Sequence, residues 1–159
     1  MKKSGFTITE MLVTLSILAI LLAIAGPSFK EFMSSSNMVS NANGMIGAFN
    51  YTRMEAIKRG GRVNIGQVGS DWTDGIVVWV DGDSDGSLDA GEELRLWPAF
   101  DSGSTVNSAN GNSSFSFSAM GEVNNDDQLI ICDDRTGEEG MQVSILISGA
   151  VIAEKVNCA

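Results

Sequence analysis

A long apolar segment close to the N terminus constrains what this chain can fold into. The run Met11–Phe29 carries no charged side chain, and Glu10 is the carboxylate at its front edge. Residues 6–29 are long enough to cross a bilayer as one α-helix, which needs about 20 apolar residues. Lys2 and Lys3 precede the segment, and basic residues there hold that end in the cytoplasm. We therefore expect a single membrane-spanning helix with the rest of the chain on the far side.

Two general explanations of this segment are available from the residues alone. The first is a secretory signal peptide, since Ala23-Ile24-Ala25 fits a small-residue cleavage site. Glu10 counts against it, because a charge inside such a segment is costly. The second is a plain membrane anchor.

The same segment resembles the leader of type IV pilins and type II secretion pseudopilins. The matching residues precede the apolar run or lie at its start: Lys2, Lys3, Gly5, Phe6, Thr7 and Glu10. The resemblance implies that a prepilin peptidase cuts after Gly5, so that residues 1–5 are a leader, and that Phe6 becomes N-methylated. It also implies an inner-membrane precursor with a periplasmic domain, which later enters a pilus or a pseudopilus.

Glu10 needs a partner if it lies in an apolar helix. A carboxylate at the helix centre costs about 2.5–3.5 kcal/mol on membrane-insertion scales. The free amine of Phe6, in the same chain or in a neighbouring subunit, would supply the opposite charge, and the attraction is strong at low dielectric. The resemblance implies that this pairing serves filament assembly. The alternative is a carboxylate that reaches out to the membrane interface.

The apolar pattern continues beyond Pro27 at helical spacing. Apolar residues recur at steps of three, four and seven: Phe29, Phe32, Val39, Ala42, Ile46, Phe49 and Ala56. Residues 30–60 are therefore predicted to continue the helix and to lay this stripe on a globular domain. Gly26 and Pro27 would bend or locally melt the helix, and Pro27 falls where the family that the leader resembles has a helix-kinking proline. Gly60-Gly61 would end it.

Residues 61–159 predict an antiparallel β-rich domain. Six or seven strands are expected, from segments that alternate or are rich in β-branched residues: 63–68, 76–80, 93–97, 113–119, 129–132, 141–147 and 150–156. Ser148-Gly149 would close a hairpin between the last two, and residues 98–112 would form a mobile loop. The fold class is α+β, a pilin-like fold with a long N-terminal α-helix packed on this domain.

The middle of the chain narrows the resemblance to the GspH/FimT family of minor pilins and pseudopilins. The residues that carry it are Trp72, the strand Gly75–Asp81, the following Asp/Gly loop and Gly91–Leu94. The family implies a FimU-like structural subunit that primes or joins type IV pilus assembly, with other minor and major pilins as partners. An H-type minor pseudopilin of a type II secretion system is the alternative.

A DNA-binding pilin is a further alternative. Arg53, Lys58, Arg59 and Arg62 form a basic cluster that would contact phosphate, although charges at a helix end explain it more simply. FimT-type DNA receptors are associated with a Gly-Arg-x-Arg signature near the C terminus, and here residues 149–152 lack its arginines. A net charge of −10 also repels nucleic acid. We therefore do not expect nucleic acid as a partner.

Catalysis is not expected from this composition. The chain has no histidine, which removes histidine-based triads, general bases and metal ligands. No nucleophile motif or phosphate loop is present, so we predict a structural protein that requires no cofactor.

The two cysteines of the chain, Cys132 and Cys158, are expected to form a disulfide in an exported domain.

An acidic loop matches the spacing of a calcium loop. The pattern D-x-D-x-D-G-x5-E is complete at Asp81, Asp83, Asp85, Asp89 and Glu92, with glycine at the sixth position. The flanking segments read as strands rather than the two helices of an EF-hand. A solvated Asp/Gly hairpin loop is therefore the alternative, because turn chemistry favours the same residues.

Overall fold

The computed structural model describes residues 6–83, 85–100, 103–135 and 139–158, so the predicted cleavage residue Gly5 lies outside the described residues. These described residues form one long helix, eight strands and a short 3₁₀ helix at Trp72–Asp74. In chain order the elements are α1 (Ile8–Arg59), β1 (Val63–Gln67), β2 (Ile76–Trp79), β3 (Glu93–Trp97), β4 (Thr105–Ser108), β5 (Ser114–Phe117), β6 (Asp127–Cys132), β7 (Glu139–Ile145) and β8 (Val151–Asn157). The chain divides into two compact units, one ending at Ser36 and the other beginning at Asn37.

The first unit is the apolar half of α1. Every side chain from Phe6 to Met33 is exposed. Among the described residues, α1 is the one helix that is long and apolar enough to cross a membrane. So large an exposed apolar surface is unfavourable in water.

The helix continues through the proline in its first half. Gly26 and Pro27 both lie within the helical residues of α1. The predicted local melting at Pro27 is therefore wrong, while a bend there stays a prediction. The helix ends at Arg59 as expected, because Gly60 has a φ of 62°, a conformation that glycine adopts without strain.

The second unit holds the strands in two antiparallel four-stranded sheets. The first sheet has the order β3-β2-β1-β5 and the second has the order β4-β6-β7-β8. Strand β4 lies inside residues 98–112, so the prediction of an unstructured loop there is wrong. It pairs with β6, where Val106 lies opposite Ile131. The division into two sheets was also not predicted.

One hydrophobic core joins the second half of α1 to both sheets. Phe49 lies at its centre, with ring centroids 5.4 Å from Phe115, 6.2 Å from Trp72 and 6.4 Å from Phe117. The buried face of α1 consists of Met38, Ala42, Met45, Ala48, Phe49, Thr52 and Ala56.

The predicted stripe on α1 is correct only in its later part. Ala42, Phe49 and Ala56 are buried as expected. Val39 is exposed, so its predicted packing on the domain is wrong. In the first unit, Phe29, which belongs to the segment assigned to the membrane, and Phe32 are 65% and 67% exposed.

The predicted disulfide is present between Cys132 and Cys158. The two Cα atoms are 5.9 Å apart, and the bridge joins the end of β6 to the residue after β8. Gly140 of β7 lies beneath it. A Cβ on Gly140 would approach both sulfur atoms and would lie 2.7 Å from the carbonyl oxygen of Ile131. The bridge therefore requires glycine at this position.

A buried carboxylate, that of Asp127, lies at the start of β6 next to the end of β4. Asp127 is 3% exposed and accepts hydrogen bonds from Ser108 Oγ at 2.6 Å and Asn112 Nδ2 at 2.9 Å. The backbone N–H groups of Asn110 and Gln128 also donate to it. Burial alone would raise the pKa of Asp127, but these four donors outweigh it and hold the pKa below its usual value.

We expect Asp127→Asn to lower the free energy of unfolding by about 1–3 kcal/mol at pH 7, since it removes charged hydrogen bonds inside the protein. A lowered pKa in the folded state gives stability that is present above the unfolded pKa, about 3.9, and is lost as pH falls through the folded value. The difference between variant and wild type should therefore shrink toward pH 3. Urea unfolding measured from pH 7 to pH 3 checks this.

The exposed neighbour Asp126 provides the control for this measurement. Asp126→Asn removes the same charge from the surface and should shift the midpoint little at any pH. An Asp127→Asn variant as stable as Asp126→Asn at pH 7 would contradict the assignment.

Candidate assembly site

The start of α1 places Glu10 in a capping box. Thr7 precedes the first helical residue, and its backbone N–H donates to Glu10 Oε2 at 2.9 Å. The Thr7 hydroxyl donates to the same oxygen at 2.8 Å, and Glu10 N–H donates to Thr7 Oγ1 at 3.3 Å. These reciprocal bonds satisfy backbone N–H groups that a helix start otherwise leaves without partners.

Thr7 caps the helix start, a local structural role that the sequence interpretation did not include. Thr-x-x-Glu ahead of an apolar run is the sequence signature of a capping box. In this chain the Phe6 nitrogen belongs to the peptide bond with Gly5, and Thr7 supplies the contacts to Glu10. The expected pairing of Glu10 with the Phe6 amine stays a prediction.

The surroundings of Glu10 combine one charge with apolar surface. Phe6, Thr9, Val13 and Thr14 border a shallow recess beside it. Both hydrogen bonds from Thr7 use Oε2, and no hydrogen bond within the described residues uses Oε1. Oε1 can therefore accept a bond from a group outside the chain.

The basic cluster near the end of α1 is divided among local partners. Glu55 accepts from Arg59 Nε at 2.8 Å and from Lys58 Nζ at 3.1 Å. These two cations hold the pKa of the Glu55 carboxyl below its ordinary value, and the hydrogen bond from Arg59 has the larger effect. Arg53 donates instead to the carbonyl oxygen of Ser148 at 3.2 Å. Three of the four residues of the basic cluster, Arg53, Lys58 and Arg59, therefore have partners within the chain.

The hairpin at Ser148-Gly149 forms as predicted and connects β7 to β8. Gly149 has a φ of 75°, and its N–H donates to Leu146 O at 2.7 Å. A Cβ at Gly149 would collide with the carbonyl oxygen of Gly121 and lie 3.1 Å from Arg53 Nε. Glycine is therefore required here, because the backbone of Gly149 lies close to that of Gly121.

The acidic loop brings three of its five predicted ligands together. Carboxylate oxygens of Asp81, Asp83 and Asp85 lie within 4.8 Å of one another. Glu92 turns into the loop and accepts from the N–H of Gly82 at 2.6 Å. Its second oxygen accepts from the N–H of Asp89 at 3.0 Å.

Two protein families match this chain. The family described as type II transport protein GspH matches residues 41–150, and the prokaryotic N-terminal methylation motif matches residues 1–26. The chain belongs to the GspH family. No curated protein is similar enough to this GspH-family chain to count as a match.

Solved structures share the fold. A crystal structure of the type IV minor pilin FimU of Pseudomonas aeruginosa strain PAO1, in space group P21, superposes with a TM-score of 0.68 at 23% identity, over 77% of this chain and 92% of that one. A second FimU structure, in space group P65, gives a TM-score of 0.63 at 24% identity, over 72% and 90% of the two chains. The predicted pilin-like fold is confirmed.

The family, the methylation motif and the fold agree on the class of protein. Together they make this GspH-family chain a structural subunit of the minor pilin and pseudopilin class. Its apolar N-terminal helix fits membrane anchoring.

Proposed function

We propose that this chain is a minor pilin that is held in the inner membrane and then enters a type IV pilus. The observation that carries the proposal is an exposed apolar helix with a methylation motif, joined to a domain with the FimU fold. Prepilin peptidase would cut after Gly5 and methylate Phe6, and other pilins would cover the apolar helix. The protein acts by packing, without a catalytic site.

Glu10 is the assembly residue in this proposal. Its Oε2 is engaged by Thr7, and in this proposal its Oε1 accepts a hydrogen bond from the N-terminal amine of a neighbouring subunit. In a packed bundle of apolar helices, this charge pair fixes the axial register of neighbouring helices. Capping and assembly therefore use different oxygens of the same carboxylate.

A role in DNA capture is less well supported. Arg53, Lys58 and Arg59 are engaged by Ser148 and Glu55. The net charge of −10 adds a general repulsion of phosphate. A pseudopilin role in type II secretion remains the alternative within the same family.

We expect Glu10→Ala to reduce the amount of the protein in sheared pili about tenfold or more, without loss of membrane insertion. A charged hydrogen bond is worth about 1.5–3 kcal/mol, and about 1.4 kcal/mol is a factor of ten. Immunoblots of sheared pili and of inner membranes measure the two quantities. Wild-type protein absent from sheared pili, with a defect in secretion after gene deletion, would favour the pseudopilin role.

Two further variants separate the charge from the cap. Glu10→Gln still accepts the Thr7 N–H but has no negative charge to pair with an ammonium group, so it should fail like Glu10→Ala. Thr7→Val removes the capping hydroxyl and keeps the charge, so it should assemble nearly normally. Normal assembly of Glu10→Gln together with failure of Thr7→Val would show that Glu10 serves only to start the helix.

A further inference from the structure

We infer that a surface patch of the second unit docks the acidic globular domain of a neighbouring filament subunit. The docking patch consists of four exposed apolar side chains around one arginine: Met54, Ile57, Met120, Ile147 and Arg53. All of them lie outside the apolar first unit. The inference rests on the proposed function, because it requires assembly with other subunits, and it adds a contact surface on the domain to the contacts of the helix.

Three segments of the second unit meet at the docking patch. A Cβ on Gly121, in the turn after β5, would lie 2.8 Å from Ile57 Cδ1 and 3.0 Å from Arg53 Nε, both near the end of α1. The hairpin between β7 and β8 completes the group, because Arg53 Nη2 donates to Ser148 O at 3.2 Å. The end of α1, this turn and this hairpin therefore form one continuous surface.

Each of the three segments leaves a large apolar side chain exposed. Met54 and Ile57 are three residues apart on α1, which places them on the same face of the helix. Met120 belongs to the turn and Ile147 to the hairpin, and all four side chains are more than half exposed. Single exposed apolar residues are ordinary, whereas a group of them on adjoining segments marks an interaction surface. Methionine and arginine are also enriched in protein interfaces.

Arg53, in the middle of the docking patch, has no carboxylate partner among the described residues. Its one hydrogen bond there goes to a neutral acceptor, Ser148 O, and its Nε is inaccessible to solvent without a partner. A guanidinium carries five N–H donors in a fork that fits a carboxylate. Removing such a cation from water is unfavourable unless it is paired. The occupant of the docking patch should therefore bring a carboxylate to Arg53.

The charge around the docking patch favours an acidic partner. Four of the ten basic residues of the chain lie between Arg53 and Arg62, and Glu55 is the one carboxylate in those positions. The whole chain nevertheless has a net charge of −10. A neighbouring domain that is acidic in the same way is attracted to this end of α1 and repelled by the remaining surface. Charge therefore selects this surface for contact between subunits.

Photocross-linking in cells that assemble the full-length protein tests the inference. A photoreactive phenylalanine analogue in place of Met120 should form an adduct with another pilin or pseudopilin subunit, identified by mass spectrometry. The same group in place of Leu96, an exposed residue of β3, should not. Arg53→Gln keeps an N–H donor for Ser148 O but loses the charge, so it should lower the adduct yield from position 120 about fivefold or more.

Assembly of charge variants provides a second measurement. Met120→Glu and Ile57→Glu place a carboxylate against the acidic partner, so each should reduce the amount of protein in sheared pili about tenfold or more. Leu96→Glu is the matched control, since Leu96 is 52% exposed and Ile57 is 51% exposed, and it should assemble normally. Met120 is 77% exposed, so its replacement leaves the core intact, and urea unfolding confirms this for every variant.

The outcomes separate this surface from the proposed function. Absence of a subunit adduct from position 120, or equal adducts from positions 120 and 96, would overturn the inference. Normal assembly of Met120→Glu or an adduct yield unchanged by Arg53→Gln would overturn it as well. Wild-type protein that is absent from sheared pili, but still gives the adduct with a pseudopilin, would contradict the pilus role and support the docking patch.

Discussion

Replacing Phe49 by alanine is expected to lower the free energy of unfolding by about 3–5 kcal/mol, the usual cost of truncating a fully buried phenylalanine. Phe49 is completely buried and contacts three other aromatic rings, those of Trp72, Phe115 and Phe117. Its removal leaves a cavity where α1 meets the first sheet. Urea unfolding followed by tryptophan fluorescence measures the loss, since Trp72 lies in the same cluster.

Phe32→Ala is the matched control on the same helix. Both phenylalanines belong to the stripe expected from the sequence, but Phe32 is exposed and lies in the first unit. Its truncation should change the unfolding of the second unit by no more than about 0.5 kcal/mol. Equal losses for Phe32→Ala and Phe49→Ala would contradict the placement of the core.

Removing the disulfide by changing both Cys132 and Cys158 to serine should cost about 3–4 kcal/mol. In the chain-entropy model a bridge restricts the unfolded chain, and this one joins residues 26 positions apart. A reducing agent should destabilise the wild type by a similar amount and leave the double variant unchanged. A wild-type midpoint that is insensitive to reduction would show that the bridge does not contribute.

Gly140→Ala tests the same bridge without changing a cysteine. The added methyl group would press against both sulfur atoms and the Ile131 carbonyl, so free thiol should become detectable in the purified protein. Gly44→Ala is the control, since a Cβ there meets no atom within 4 Å. It should keep the bridge intact and stabilise α1 slightly, because alanine is the better helix former.

The strands were the part of the fold that local sequence predicts best. Segments such as 76–80 and 93–97 combine β-branched or aromatic residues with clear turn signals, and they correspond to β2 and β3. Strand β4 carries only Val106 as a large apolar residue. Its extended backbone depends on pairing with β6, which is distant in sequence, so local patterns could not reveal it.

The apolar stripe on α1 shows a different limit of sequence interpretation. Phe29 and Phe32 have the same spacing as Phe49, yet only Phe49 is buried in the chain's own core. Periodicity identifies a surface that avoids water, and it does not tell whether a domain, lipid or another subunit covers it.

At the candidate site, the sequence identified Glu10 and the resemblance supplied its role. The capping contact with Thr7 could also have been predicted, because it is local and has a signature. The hydrogen bonds that Glu92 accepts from Gly82 and Asp89 could not, since they depend on how the acidic loop folds.

The disulfide also changes how the domain responds to tension along its chain. A fully extended residue spans at most about 3.3–3.6 Å, so the chain from Cys132 to Cys158, which are 26 positions apart, represents about 90 Å of contour length. A force applied along the backbone passes through the disulfide from one sulfur atom to the other, so the chain enclosed by the bridge is not extended. The hairpin β7–β8 lies inside it. This part of the subunit would keep its shape under a load that could extend the rest of the chain.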